Sequence, residues 1–119
     1  MSTEEIVREV MDEWRAGIDA HDPDRVAGVF AWDTVFQGLR PYVSGRPAVT
    51  EYYDSQPAGM TVTYQVLESR RPTDDVALGY LRATFTFVDR PPLPLNVGVT
   101  LVRTGAQWQV VQYQASRVD

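Results

Sequence analysis

The chain has 119 residues, no cysteine and a net charge of −5, and all 11 of its basic residues are arginines. This length suits one domain with one core, and the missing thiols exclude disulfides and cysteine-ligated metals. An acidic surface repels phosphate backbones and anionic lipid, no apolar run reaches the ~20 residues of a membrane span, and the first residues lack an apolar signal core. We therefore expect a cytoplasmic protein that binds neither nucleic acid nor a membrane.

The first half of the chain predicts helices. Residues 3–20 carry an apolar stripe at helical spacing, and Ser2 followed by Glu5 forms a capping-box pattern before it. The pair Asp22-Pro23 predicts a second, short helix over about 23–30. A strand over 35–39 follows, and Pro47 then begins a third helix that ends near residue 54.

The second half predicts four strands, over 60–70, 75–89, 93–104 and 107–117. Each is dense in Val, Thr, Tyr and Phe, and Pro, Asp and Gly mark the turns between them. Gly79 and Gly98 lie inside strands, where glycine often marks a bend. The pattern predicts one α+β domain over 1–119, a cone-shaped roll in which three N-terminal helices pack on a strongly curved antiparallel sheet and enclose a pocket.

The ordered set of local motifs resembles the nuclear transport factor two-like superfamily, in its SnoaL-like branch. That branch includes polyketide cyclases, ketosteroid isomerase and SgcJ/EcaC-type proteins. The segments that carry the resemblance extend over nearly the whole chain: Trp14 in the first helix, the loop 19–22, the helix-to-strand passage 29–36, the opening 45–49 of the third helix with Tyr52 and Tyr53 after it, and the last hairpin from Gly105 to Ser116.

The resemblance implies a small-molecule pocket and a homodimer that pairs through the outer face of the sheet. It also implies a cofactor-independent isomerase, cyclase or hydratase acting on an apolar polycyclic or polyketide-like metabolite. Ketosteroid isomerase-like enzymes place a carboxylate at the end of the first strand as a proton shuttle. Gln37 occupies that position here, and an amide has no proton to shuttle.

Two residues are candidates for a catalytic role and nine for ligand binding. Asp33 is a carboxylate at the start of the first strand, and Gln37 stands at the family's acid position. Aromatic and polar side chains suit an apolar pocket with a few polar contacts, as small-molecule sites are usually built. The ligand-binding candidates are Trp14, Phe36, Tyr53, Tyr64, Tyr80, Arg82, Asn96, Gln112 and Gln114.

Strand parity alone does not say which sheet face lines the pocket. We favour Gln37, Arg82, Gln112 and Gln114 inside, because polar residues in mid-strand need a ligand, water or a partner. The dimer interface is the alternative for the same residues. Tyr52 and Tyr53 are adjacent on a helix, so at most one of them is expected to line the pocket. A single histidine, His21, predicts no metal site.

The sequence is compatible with three functions. The chain is an isomerase- or cyclase-type enzyme, a non-catalytic ligand-binding homodimer, or a protein-interaction module. Amides at Gln37, Gln112 and Gln114, where acids are expected, favour the second function over the first, whereas the resemblance favours the first.

Overall fold

A computed structural model describes residues 1–119, and its elements follow the predicted order with one addition. The helices are α1 (Thr3–Asp19), α2 (Pro23–Ala27) and α3 (Arg46–Asp54). The strands are β1 (Phe30–Gln37), β2 (Val43–Ser44), β3 (Thr61–Thr73), β4 (Val76–Thr86), β5 (Leu93–Thr104) and β6 (Gln107–Arg117). No helix combines the length and the apolar character needed to cross a bilayer.

The helix starts form as the sequence predicts. The Ser2 side chain accepts a hydrogen bond from the Glu5 amide, and the Glu5 side chain accepts one from the Ser2 amide, which completes the capping box. The Asp22 side chain caps α2 by accepting a hydrogen bond from the Arg25 amide. The prediction that α2 extends to residue 30 is wrong, because Phe30 already begins β1 and its carbonyl accepts two hydrogen bonds from Arg46.

The six strands form one sheet in the order β2-β1-β6-β5-β4-β3. The four long strands β3 to β6 are successive antiparallel hairpins, as the turn signals predict. However, β1 runs parallel to β6, so the sheet is mixed and not wholly antiparallel. The chain can make this parallel pair because α3 and four further strands lie between β1 and β6 in sequence, which leaves ample length for the crossover that parallel strands need.

The two faces of the sheet have different surroundings. One face, called here the inner face, packs against α1 and carries buried residues such as Leu81, Ala83 and Phe85 of β4. A bulge at Val111 in β6 shifts the register, so that Val110, Tyr113 and Ala115 all point inward. The opposite, outer face has no helix against it, and Tyr80 there is 44% exposed. Only the inner face can therefore enclose a cavity.

Candidate functional site

A cavity of about 160 Å³ lies between α3, the turn after β1 and the inner face of the sheet. Twelve residues line it: Gly38, Leu39, Arg40, Tyr52, Tyr53, Gln56, Met60, Phe85, Leu93, Leu95, Tyr113 and Ala115. None of them is a carboxylate or a histidine. The polar groups of the cavity are three tyrosine hydroxyls, together with Arg40 and Gln56.

One of these tyrosines belongs to a buried hydrogen-bonded pair. The indole Nε1 of Trp14 donates to the Tyr53 hydroxyl oxygen over 3.0 Å, and both side chains are buried. Tyr113 lines the same cavity, and its hydroxyl proton is available to an acceptor there.

Burial raises the pKa of both tyrosines. Loss of solvation raises the pKa of Tyr53 well above its ordinary value, and the hydrogen bond from Trp14 opposes this only in part. Burial likewise raises the pKa of Tyr113, although the contact with Tyr53 lowers it slightly. Both phenols therefore keep their protons at neutral pH, and they act as hydrogen-bond donors and not as bases.

Stacked aromatic rings hold Tyr113 in place. Phe36 lies parallel to the Tyr113 ring, with centroids 4.6 Å apart and planes 16° apart. The rings of Tyr52 and Tyr53 meet Phe36 edge-on at 4.7 Å and 5.6 Å. Phe36 is fully buried behind the wall, so it supports the cavity without lining it. Such packing fixes the hydroxyl positions before a ligand arrives.

The favoured placement of four polar residues inside the roll is wrong. Gln37 pairs with Gln114 across the β1–β6 ladder, and both lie on the outer face, as does Gln112. Arg82 also lies there, where its Nε donates to Asn96 over 3.0 Å. Their parity is opposite to that of Phe36, Tyr113 and Leu81, which are buried. Polar residues in the middle of these strands mark the sheet face that no helix covers, and not the face that lines the inner cavity.

Asp33 is not at the cavity either. Its side chain is exposed at an irregular part of β1, where the pairing with β6 shifts register between Phe30 and Val35. It therefore has no access to a ligand enclosed on the inner face. The structure leaves both catalytic candidates, Asp33 and Gln37, outside the cavity.

The remaining ligand-binding candidates divide by location. Tyr53 lines the cavity, and Trp14 touches it only through its bond to Tyr53. Tyr64 lies on the edge strand β3, where its hydroxyl donates to the Asp12 carboxylate of α1. Tyr80 and Asn96 lie on the outer face. Tyr64, Tyr80 and Asn96 therefore do not meet at one ligand.

Two tyrosines that line the cavity, Tyr113 and Tyr52, are not among the residues that the sequence predicts there. Tyr113 lies on the inward face of β6 between the buried Val110 and Ala115, and a hydroxyl among these apolar neighbours was the signal available. The expectation that only one of Tyr52 and Tyr53 lines the cavity is wrong. Tyr53 reaches the buried end of the cavity and Tyr52 its outer end. Side chains that leave α3 in two different directions therefore line the same cavity.

A second hollow lies on the outer face. It has a volume of about 440 Å³ around Tyr80, Gly98, Gln112 and Gln114. A side chain added at Gly98 would meet only Tyr80, at 4.0 Å, so the strand backbone forms the floor of this groove. The groove is larger than the inner cavity, but it is more open to solvent. A small ligand buries most of its surface in the sites that bind it well, which favours the enclosed cavity.

Comparison with known proteins agrees with this architecture. The model of the SnoaL-like domain family matches residues 7–119, whereas a search of curated proteins finds no match. A ketosteroid isomerase-like protein from Erwinia carotovora atroseptica has a similar structure, with a TM-score of 0.82 at 18% identity over 97% of this chain and 95% of that one. An NTF2-like protein with a cystatin-like fold from Novosphingobium aromaticivorans superposes with a TM-score of 0.84 at 17% identity, over 98% and 82%.

A further NTF2-like protein, of unknown function, from Pseudomonas putida KT2440 gives a TM-score of 0.79 at 22% identity, over 98% of this chain and 88% of its own. Similarity at these identities shows the fold, a helix-backed curved sheet, and not an activity. With the family model matched over nearly the whole chain, the protein belongs to the SnoaL-like domain family.

Proposed function

We propose that the protein binds a compact, apolar small molecule with one hydrogen-bond acceptor, and that the Tyr113 hydroxyl donates to this acceptor. The observation that carries the proposal is the position of the buried Tyr113, which lines a mostly apolar cavity beside the Trp14–Tyr53 hydrogen bond. A cavity of about 160 Å³ matches a single ring, since an apolar cavity of about 150 Å³ holds benzene.

The cavity favours binding over proton-transfer catalysis. An isomerase or cyclase reaction needs a group that takes a proton near neutral pH, and such groups are usually carboxylates or histidines. No such side chain lines the cavity, and its buried phenols hold their protons. The similarity to a ketosteroid isomerase-like protein supports a pocket in this position, and Gln37 on the outer face argues against the same chemistry.

A pair of isosteric probes tests the donor role of Tyr113. Cyclohexanone carries a carbonyl, and methylenecyclohexane has the same shape without an acceptor. We expect the ratio of their affinities, measured by NMR titration, to favour the ketone in the wild type and to fall roughly fivefold in Tyr113→Phe, because one hydrogen bond contributes about 1 kcal/mol. Comparing ratios cancels the different hydration of the two probes.

Tyr80→Phe is the matched control, since it removes the same hydroxyl from the outer face. The ratio should not change in this variant. A ratio that falls equally in Tyr80→Phe and Tyr113→Phe, or in neither, would contradict the proposal.

We also propose that two copies of the chain pair through their outer faces. Tyr80 projects from β4 directly beside the open floor at Gly98 of β5, its cross-strand partner. A knob next to a hollow is self-complementary under a two-fold rotation, which would place Tyr80 of each copy over Gly98 of the other. In this arrangement the charged edge of the groove in one copy would face the polar edge in the other. The charged edge carries Glu68 and Arg70, and the polar edge carries Gln112 and Gln114.

A further inference from the structure

A third hollow, at the protein surface, adjoins the enclosed cavity. This surface hollow has a volume of about 400 Å³ and is lined by Arg40, Pro41, Tyr42, Val43, Ala48, Glu51, Tyr52 and Ser55. Arg40 and Tyr52 line both the hollow and the enclosed cavity. The Tyr52 ring, together with the Arg40 side chain, is therefore the partition between them.

Close contacts hold the Tyr52 ring in the partition. The ring packs edge-on against Phe36 and Tyr53, with centroid distances of 4.7 Å and 5.1 Å. Its hydroxyl lies against the backbone of Gly38, where any side chain would overlap it. Gly38 thus permits the tyrosine to close the outer end of the cavity, in the turn directly after β1.

The partition consists of side chains alone, with Tyr52 attached to α3 and Arg40 to the turn after β1. Because the Tyr52 ring is packed against Phe36, Tyr53 and Gly38, it forms a fixed boundary. Removal of this ring would join the two spaces without moving either element.

We infer that Tyr52 sets the upper size limit of the ligand. With Tyr52 in place, the enclosed cavity accepts one ring and lies below the roughly 300–1,000 Å³ of pockets for drug-sized ligands. Without its ring, the cavity is continuous with the surface hollow, and the joined space falls inside that range. This inference rests on the proposed ligand-binding function and adds the residue that determines its size selectivity.

The test is a size series of ketones against variants of Tyr52. Cyclohexanone, 2-decalone and a saturated tricyclic ketone are titrated into wild type and Tyr52→Ala, with binding followed by NMR. We expect 2-decalone to bind at least tenfold more tightly to Tyr52→Ala than to wild type, and cyclohexanone to bind no better. Tyr52→Leu, which keeps an apolar side chain on α3 but shortens it, should show the same order and covers the case in which the alanine variant does not fold.

Two controls separate the partition from a general loosening of the surface. Tyr42→Ala removes a ring that lines only the surface hollow and is 66% exposed, so it should leave the size series unchanged. Tyr52→Phe keeps the ring and should behave as the wild type does. If Tyr52→Ala and Tyr52→Leu show the same series as Tyr42→Ala, the inference is wrong.

Failure of the inference and failure of the proposed function give different results. If the wild type binds none of the three ketones but Tyr52→Ala and Tyr52→Leu bind 2-decalone, the partition is supported and a one-ring ligand is excluded. If the wild type already binds 2-decalone as tightly as both Tyr52 variants, the cavity binds ligands and Tyr52 does not limit their size.

Discussion

Tyr113 shows how one side chain acquires a chemical role from its surroundings. Phe36 stacks on its ring, and burial raises the pKa of its hydroxyl. An acid whose pKa is higher in the folded protein than in the unfolded chain loses its proton first in the unfolded chain. The stability it confers is complete below the ordinary tyrosine value of 10.0 and declines as the pH rises above it toward the raised folded pKa.

We therefore expect the free energy of unfolding to decrease above pH 10.0, by about 1.4 kcal/mol per pH unit for each of Tyr53 and Tyr113. Urea unfolding at pH values on either side of 10.0 measures this slope. Tyr113→Phe should reduce it, and Tyr42→Phe, which removes an exposed phenol, should not. An equal slope in wild type and Tyr113→Phe would show that burial of this hydroxyl does not affect its ionisation.

Most functional misassignments at the residue scale have one cause. Parity along a strand separates two sets of residues, but it does not tell which set the helices cover. Gln112 and Gln114 therefore lie on the outer face and not inside as predicted, while alternation along β6 places Tyr113 and Ala115 on the inner face. The bulge at Val111 has no strong sequence signal, since valine suits any strand position.

At the scale of elements, the sequence predicts helix starts and hairpins well. The capping box at Ser2 and the Asp22-Pro23 pair are local signals, and both act as predicted. The parallel pairing of β1 with β6 depends on contacts between distant parts of the chain, and local pattern does not encode it. The same holds for β2, whose two residues are too few to show a period.

Contact between α1 and α2 depends on one glycine. A Cβ at Gly17 would lie 2.7 Å from Val26 Cγ2 and 2.8 Å from the Val26 backbone nitrogen. Because the second atom is backbone, α2 itself must shift to make room. We expect Gly17→Ala to lower the free energy of unfolding by about 1–3 kcal/mol, as overpacked cores do, even though alanine favours helices.

Chemical denaturation measures this change, and Gly98→Ala is its control when all proteins are compared at a concentration at which they are monomeric. A methyl group at Gly98 meets only Tyr80, at 4.0 Å, so it should cost much less than one at Gly17. Equal stability of Gly17→Ala and wild type would mean that the two helices are not in close contact.

At the scale of the whole molecule, the fold separates two surfaces by the two faces of one sheet. The inner face encloses apolar space against the helices, and the outer face presents Tyr80 and a row of amides. If the outer face pairs two copies, sedimentation velocity should show a dimer for the wild type. Tyr80→Asp, which puts a charge in the pairing surface, should shift it to monomer, and Tyr42→Asp should leave the dimer intact.

A wild type that sediments as a monomer at all concentrations tested would contradict this pairing. The proposed ligand site would be unaffected, because every residue of the cavity lies on the inner side of one chain.

The central claim is that the protein's ligand lies on the inner face, and the most direct test is to locate a bound ring by NMR. Nuclear Overhauser contacts from cyclohexanone protons should reach the methyl groups of Ala115 and Met60, which line the cavity. Contacts to the side-chain amides of Gln112 and Gln114, with none to Ala115 or Met60, would place the ligand on the outer face and contradict the account.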